Sequence, residues 1–132
     1  MKEIKAIIQP FMLSKVINAL KESESLPGVT VDLSVCGFGR GRAAQAKATI
    51  VEDSVEYVKK VRLEIVVPDH LVERVVQIIR DNAHTGNPGD GKIIVSTVDS
   101  VIRIRTGERG KDASRGVNEG VNKQQLGLYF RE

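Results

Sequence analysis

The sequence is poor in aromatic and sulfur-containing residues. It has no tryptophan, two tyrosines, three phenylalanines and a single cysteine, Cys36. One cysteine excludes an intrachain disulfide, and this favours a reducing, cytoplasmic setting. So few aromatic side chains also argue against a sheet surface that stacks nucleobases. An RNA-binding sheet domain is therefore the weakest of the function classes that we consider.

Long apolar runs are also missing. No stretch approaches the roughly 18 residues that a membrane span needs, and the N-terminus has no charged-then-apolar leader. Lys and Arg number 20 against 17 Asp and Glu, and a net charge of +3 gives little electrostatic reason for a nucleic-acid partner. We expect a soluble cytoplasmic chain without a transmembrane segment. Its 132 residues, 41% of them hydrophobic, suffice for one domain with one core.

The chain contains an internal repeat. An apolar run followed by proline occurs at residues 7–10 and again at 65–68. At one constant offset the following residues match: Pro10 and Pro68, Leu13 and Leu71, Ile17 and Val75, Leu20 and Ile78. The apolar residues after each proline have helical spacing, and proline suits the first turn of a helix. Each half therefore predicts a strand, then a proline, then a helix.

The repeat predicts the fold class. Further strands are expected at 29–38 and 92–105, after the two helices, and a strand over 57–67 opens the second half. The order β-α-β, β-α-β is typical of the α+β, ferredoxin-like sandwich, with a four-stranded sheet and two helices on one face. The other face also carries apolar residues, so we expect self-association to cover it.

The segment 85–92, Thr-Gly-Asn-Pro-Gly-Asp-Gly-Lys, is rich in glycine. Glycines let backbone N–H groups approach a ligand closely, and Lys92 adds a positive charge. The pattern therefore fits a loop that holds a phosphate chain. An ordinary hairpin turn uses the same residue types, so this alternative stays open on local pattern alone.

Two further segments fall outside the repeat. Residues 39–55 are long for a connection between strands and predict a mobile recognition arm, although a short helix or strands that continue the hairpin also fit. Residues 109–132 begin as a Gly-rich, polar linker and end with apolar residues at 126–130. We expect this extension to be flexible. Docking on a partner, or folding of its basic residues over phosphates, is the alternative. The predicted organisation is a domain at 1–108 and an extension at 109–132.

Four short motifs occur in order along the chain. They are Gly-Phe-Gly-Arg at 37–40, Glu-Ile-Val-Val-Pro at 64–68, Thr-Gly at 85–86 with Gly-Asp-Gly-Lys-Ile at 89–93, and Val-Ile-Arg-Ile-Arg-Thr-Gly at 101–107. Within the repeated frame, these motifs resemble the PII signal-transduction proteins of nitrogen regulation. The resemblance covers residues 1 to about 108. It implies a homotrimer with ATP or ADP in clefts between subunits, AMP being a further candidate.

The resemblance also implies a regulator and not an enzyme. Its T-loop, residues 39–55, would dock onto a target protein such as a transporter or a metabolic enzyme. The nucleotide-binding residues that it implies are Gly37, Phe38, Gly39, Arg40, Lys60, Glu64, Thr85, Gly86, Gly89, Asp90, Gly91, Lys92, Arg103 and Arg105. Of these, the loop residues would cradle the phosphates and the two arginines would reach them from the adjacent subunit. Strand alternation predicts that both arginines share one face.

Three positions depart from the family pattern. Gly41 stands where many members have a glutamine that helps hold Mg²⁺, and neutral Gln9 replaces a basic residue that grips 2-oxoglutarate. Both changes argue against the binding of Mg²⁺ and 2-oxoglutarate. Asp53 occupies the position of the tyrosine that enteric-type members uridylylate. The departures predict a divergent branch, of the kind that is linked to transporters, carbon uptake or metal efflux.

Other site chemistries are weakly supported. Cys36, His70 and His84 lack the spacing of metal ligands, so no metal site is predicted. Asp90 or Glu64 could be nominated as the base of a slow nucleotide-hydrolysing enzyme, which remains the alternative function. No Ser-His-Asp or Cys-His set occurs.

Overall fold

Five antiparallel strands form one sheet in the computed structural model, which describes residues 1–39, 49–52 and 55–110. In chain order these strands are β1 (Lys2–Ile8), β2 (Thr30–Gly37), β3 (Thr49–Glu52), β4 (Val55–Val67) and β5 (Gly91–Thr97). Their spatial order is β2-β4-β1-β5, and β3 pairs with β4 outside this path. Strand β1 therefore lies at the centre, between β4 and β5.

Two helices connect the strands on one face of the sheet. Helix α1 spans Leu13–Lys21 and α2 spans Val72–Ala83, and a 3-10 turn precedes each of them. Pro10 opens the first of these turns, and Pro68 lies one residue before the second. The predicted proline at each strand-to-helix junction is confirmed.

The core lies between the helices and one face of the sheet. Along the central strands every second residue is buried, and along the helices the buried residues recur every fourth position. These spacings follow from the period of two residues in a strand and of about 3.6 residues in a helix. The buried set consists of Ile4, Ala6 and Ile8 of β1, Val61, Leu63, Ile65 and Val67 of β4, Val16 and Leu20 of α1, Val75, Ile79 and Ala83 of α2, and, outside these elements, Leu26 and Leu71. The predicted α+β, ferredoxin-like sandwich is thus confirmed.

The opposite face, here called the open face, has no helix packed on it among the described residues. Register places Ile7, Arg62 and Lys92 side by side on this face, and in the next row Lys5 lies between Glu64 and Ile94. Charged and apolar side chains are therefore mixed here. Self-association over this face stays a prediction.

The last predicted strand is wrong beyond Thr97. Instead of continuing to residue 105, the chain turns back on itself: the Arg103 N–H donates to Glu108 O (2.9 Å), and the Gly107 N–H to Arg103 O (2.8 Å). Gly107 has φ of 73°, the left-handed conformation of a tight turn. The turn signals Asp99-Ser100 and Thr106-Gly107 outweigh the apolar alternation between them.

The T-loop, residues 39–55, is in part a strand. Val58 of β4 pairs with Gly37 on one side and with Thr49 of β3 on the other, so β3 and β2 flank β4 at this point. The alternative in which strands continue the hairpin is therefore confirmed for Thr49–Glu52. Residues 40–48 and 53–54 lie outside the described residues, as do the predicted Gly41 and Asp53 departures.

The described part of the chain ends at Gly110. Arg109 forms an isolated antiparallel β-bridge with Ile102, and the Gly110 N–H donates to Val101 O at 3.1 Å. The rest of the predicted extension, 111–132, lies outside the described residues. In the described part, no helix combines the length and the apolar character that crossing a membrane would require.

Candidate functional site

A cleft of about 650 Å³ opens at one end of the open face, where β1 ends and β5 begins. Its walls come from four strands and from the glycine loop, residues 85–91, that joins α2 to β5. The lining residues are Ile7, Val35, Gly37, Phe38, Gly39, Val58, Lys60, Asn87, Gly89, Asp90, Gly91 and Lys92. The volume lies within the range of small-molecule sites, roughly 300–1,000 Å³.

Three glycines shape the glycine loop. Gly86, Gly89 and Gly91 have φ of 88°, 94° and 102°, values that L side chains rarely adopt. At Gly91 a side chain is also excluded by space, since a Cβ atom there would lie 1.7 Å from the carbonyl oxygen of Ile7. The loop therefore enters β5 with its backbone pressed against β1.

The Asp90 side chain closes the glycine loop from within. Its carboxylate accepts the Thr85 N–H (2.8 Å), the Gly86 N–H (3.2 Å) and the Thr85 hydroxyl, while the Asn87 N–H donates to Thr85 Oγ1 at 3.1 Å. Burial raises the pKa of Asp90, but the hydrogen bonds from Thr85 and Gly86, together with nearby His84, outweigh it and hold this pKa below its ordinary value. The carboxylate is thus charged and internally satisfied.

Two side chains hold the other end of the loop. Lys60 Nζ donates to Gly89 O at 2.6 Å, and Gln9 Nε2 donates to the same oxygen at 2.8 Å. Burial lowers the pKa of Lys60, and the nearby Asp90 carboxylate offsets part of this shift. An ammonium that is partly desolvated in a cleft is a ready partner for an anion.

The chemistry of the cleft suits an anion attached to an apolar group. Lys60 and Lys92 provide cationic ends, and the loop provides backbone at glycine positions, where a ligand can approach closely. Ile7, Val35, Val58 and the ring of Phe38 form an apolar wall. In the described residues, no three His, Cys, Asp or Glu side chains group as metal ligands would.

Most of the predicted nucleotide residues meet in this cleft. Eight of them line it: Gly37, Phe38, Gly39, Lys60, Gly89, Asp90, Gly91 and Lys92. Thr85 and Gly86 belong to the same loop, and their N–H groups point to Asp90. Arg40 lies outside the described residues.

Three of the predicted nucleotide-binding residues lie outside the cleft, in other described parts of the chain. Glu64 Oε1 forms an ion pair with Arg62 Nε at 3.0 Å on the open face, and Glu64 does not line the cleft. The prediction that Arg103 and Arg105 share a strand face is wrong, because both lie in the turn after β5 and not in a strand. Arg103 is 5% exposed, whereas Arg105 is exposed.

Three lining residues were not predicted, Ile7, Val35 and Val58, and Asn87 was predicted only as part of the glycine-rich segment 85–92. Val58 lies two positions before Lys60, so strand alternation could have found it. Ile7 reaches the cleft only through its pairing with Lys92, which depends on tertiary register.

Comparisons with known proteins point to one family. The sequence model of the family described as "Nitrogen regulatory protein P-II" matches residues 1–108. Curated relatives named "Nitrogen regulatory protein P-II" come from Azospirillum brasilense (47% identical), Bradyrhizobium diazoefficiens (49%) and Rhizobium meliloti (48%). Each alignment spans 113 residues, which is 86% of this chain and 99% of the relative.

Proposed function

The chain belongs to the nitrogen regulatory protein P-II family, and we propose on this premise that it is a signal-transduction regulator whose ligand is an adenine nucleotide. The nucleotide would occupy the cleft beneath the glycine loop, with ATP or ADP as the main ligand. AMP is a further candidate.

One observation carries the proposal: two lysines and two left-handed glycines, Gly89 and Gly91, converge on one cleft that also has an apolar wall. Triphosphates and diphosphates are recognised by ammonium groups and by backbone N–H groups at glycine-rich turns. A purine ring needs an apolar surface of the kind that Ile7, Val35 and Val58 offer. The cleft volume of about 650 Å³ accommodates a ligand of nucleotide size.

Particular residues would then have particular roles. Lys60 and Lys92 would neutralise the phosphates, and the backbone of Gly89 and Gly91 would allow their close approach. Arg105, whose side chain is exposed, would contribute from the adjacent subunit of a homotrimer. The open face, on which no helix packs among the described residues, gives a physical reason for such an assembly. Mg²⁺ and 2-oxoglutarate are not part of the proposal, because Gln9 is neutral and its amide is bonded to Gly89.

The output of the protein would be a change in the T-loop. Gly37, Phe38 and Gly39, at the end of β2, line the cleft and lead directly into residues 39–55. A ligand in the cleft would therefore contact the root of this segment. We propose that the segment controls a target protein, such as a transporter or a metabolic enzyme, in the cytoplasm.

A regulatory function accounts for the site better than hydrolysis does. The relatives carry the names of regulators and not of enzymes. Asp90, the carboxylate that lines the cleft, already accepts three hydrogen bonds from Thr85 and Gly86 and is therefore poorly placed to take a proton from water.

Isothermal titration calorimetry with ATP, ADP, AMP and 2-oxoglutarate tests the proposal. We expect the protein to bind ATP, and Lys60→Met to weaken that binding by about ten- to a hundredfold through the loss of a charge-assisted contact. Lys59→Met is the matched control, since Lys59 is exposed and adjacent residues of β4 face opposite sides of the sheet. Its affinity should stay within about twofold of the unsubstituted protein. No binding at millimolar ATP would contradict the proposal, and steady phosphate release would favour hydrolysis.

A further inference from the structure

The Gly89 carbonyl oxygen is held by two side chains from distant parts of the sequence. Gln9 Nε2 lies 2.8 Å from it and Lys60 Nζ lies 2.6 Å from it. Gln9 directly follows β1, whereas Lys60 lies in the middle of β4, so side chains from two neighbouring strands hold one atom of the glycine loop.

The two donors differ in what an incoming anion does to them. Lys60 carries a charge that burial disfavours, and its present acceptor is a neutral carbonyl. A phosphate would be a stronger partner for this ammonium than the carbonyl is. Gln9 is neutral and only 8% exposed, so an anion in the cleft exerts no comparable pull on it.

We propose that Gln9 is a positioning residue of the cleft, which keeps the Gly89 carbonyl and the glycine loop in place when Lys60 leaves that carbonyl for an anionic group of the ligand. This inference rests on the proposed function, because it requires an anion in the cleft. Lys60 is then a releasable contact of the loop and Gln9 a permanent one.

The neutral side chain at position 9 matters for this division of roles. A second ammonium at this position would be drawn to the same anion, and the carbonyl would lose both donors together. With Gln9 present, the carbonyl keeps one hydrogen bond in the ligand-bound state. This avoids the penalty of a partly buried acceptor without a donor.

The first test uses the protein without ligand. Lys60→Met, Gln9→Met and the double variant remove one donor or both, since methionine is unbranched, of similar length and unable to donate. Hydrogen exchange, followed by NMR, reports on the Thr85 and Gly86 amides, which donate to Asp90 within the loop. We expect Lys60→Met to stay within about threefold of the unsubstituted rates and the double variant to exchange at least about tenfold faster.

The amides of Val75 and Ile79 in the core helix α2 are the internal control and should keep their rates. If Lys60→Met alone exchanged as fast as the double variant, Gln9 would not hold the carbonyl and the proposal would fail. A rate increase that included α2 would mean global unfolding and would also overturn it.

The second test is a double-mutant cycle of ATP binding. With Lys60 present, Gln9→Met should weaken ATP binding about tenfold, because ligand binding would then remove the last donor to Gly89. In the Lys60→Met background the carbonyl loses nothing on binding, so Gln9→Met should change the affinity by about twofold or less. An equal loss in both backgrounds would make Gln9 a static scaffold residue and overturn the proposal.

Failure of the proposed function looks different. The proposed function fails if the unsubstituted protein does not bind ATP. The exchange rates, measured without ligand, decide independently whether Gln9 alone holds the loop.

Discussion

The carbonyl oxygen of Ile7 lies 1.7 Å from the position that a Cβ atom would occupy on Gly91. Any side chain at Gly91 must therefore push β1 and β5 apart at the edge of the cleft. Gly91 also has φ of 102°, which adds backbone strain for any other residue. We expect Gly91→Ala to lower the free energy of unfolding by at least about 3 kcal/mol, measured by urea denaturation.

Gly86→Ala is the matched control for this prediction. Gly86 has φ of 88°, but the nearest heavy atom to its Cβ position is His84 Cε1 at 3.9 Å, so strain acts without a clash. A loss of about 1 kcal/mol is expected. Equal losses for the two variants would show that the close approach of Ile7 does not matter.

Acid sensitivity should depend on Asp90. Its folded-state pKa lies below the ordinary value, so the carboxylate stabilises the fold above the unfolded pKa, and this contribution is lost as the pH falls through the folded pKa. Asp90→Asn should therefore reduce stability at pH 7 by about 1 kcal/mol and flatten the loss of stability below about pH 4. Chemical denaturation at several pH values measures this.

Asp99→Asn serves as the comparison for Asp90→Asn, because Asp99 is exposed and lies outside the glycine loop. Its acid profile should follow that of the unsubstituted protein. If the dependence of stability on pH were the same for Asp90→Asn as for the unsubstituted protein, the Asp90 carboxylate would not be the group that closes the loop.

Arg103 and Arg105 should differ in their contribution to stability. The Arg103 side chain is buried, with 5% of its surface exposed, whereas the Arg105 side chain is exposed. Removing a buried side chain forfeits its packing as well as its charge. We expect Arg103→Ala to cost about 2 kcal/mol and Arg105→Ala less than about 0.5 kcal/mol in thermal unfolding. The reverse order would contradict the burial of Arg103.

The open face should be the surface through which copies of the chain associate. Ile94 is 43% exposed on this face, beside Lys5 of β1. Ile94→Lys would bury an unpaired ammonium in such an interface, at a cost on the order of several kcal/mol. We expect sedimentation velocity to give a trimer for the unsubstituted protein and smaller species for Ile94→Lys.

Gln77→Lys controls for added charge, since Gln77 is exposed on α2, on the other side of the sheet. This variant should sediment like the unsubstituted protein. If the unsubstituted protein sedimented as a monomer, two proposals would be contradicted. One is that association between copies covers the open face, and the other is that neighbouring subunits contribute to the cleft.

Local sequence signals predicted the elements well where one periodicity was unopposed. Leu20 and Val75 lie in runs with helical spacing, and Leu63 lies in a run with strand alternation; all three proved to be buried core residues. The same logic was wrong for Arg103 and Arg105. There the alternation of apolar and basic residues competed with turn residues on both sides, and the turn residues prevailed.

The identity of the loop residues was also readable from sequence, because glycine at a left-handed position is a local requirement. Gly86, Gly89 and Gly91 were all predicted as parts of a phosphate cradle, and all three have positive φ. What they pack against was not readable. Nothing near Gly91 in the chain indicates that the Ile7 carbonyl excludes its side chain.

By itself, therefore, the sequence determined the repeated strand-helix units, their core and the glycine loop, since these depend on interactions between residues a few positions apart. Only the tertiary structure decided which groups face each other across the cleft. The Gly89 carbonyl meets Gln9 and Lys60, which are 80 and 29 residues away along the chain. Strand register and the path of the loop set these meetings, and both are properties of the packed fold.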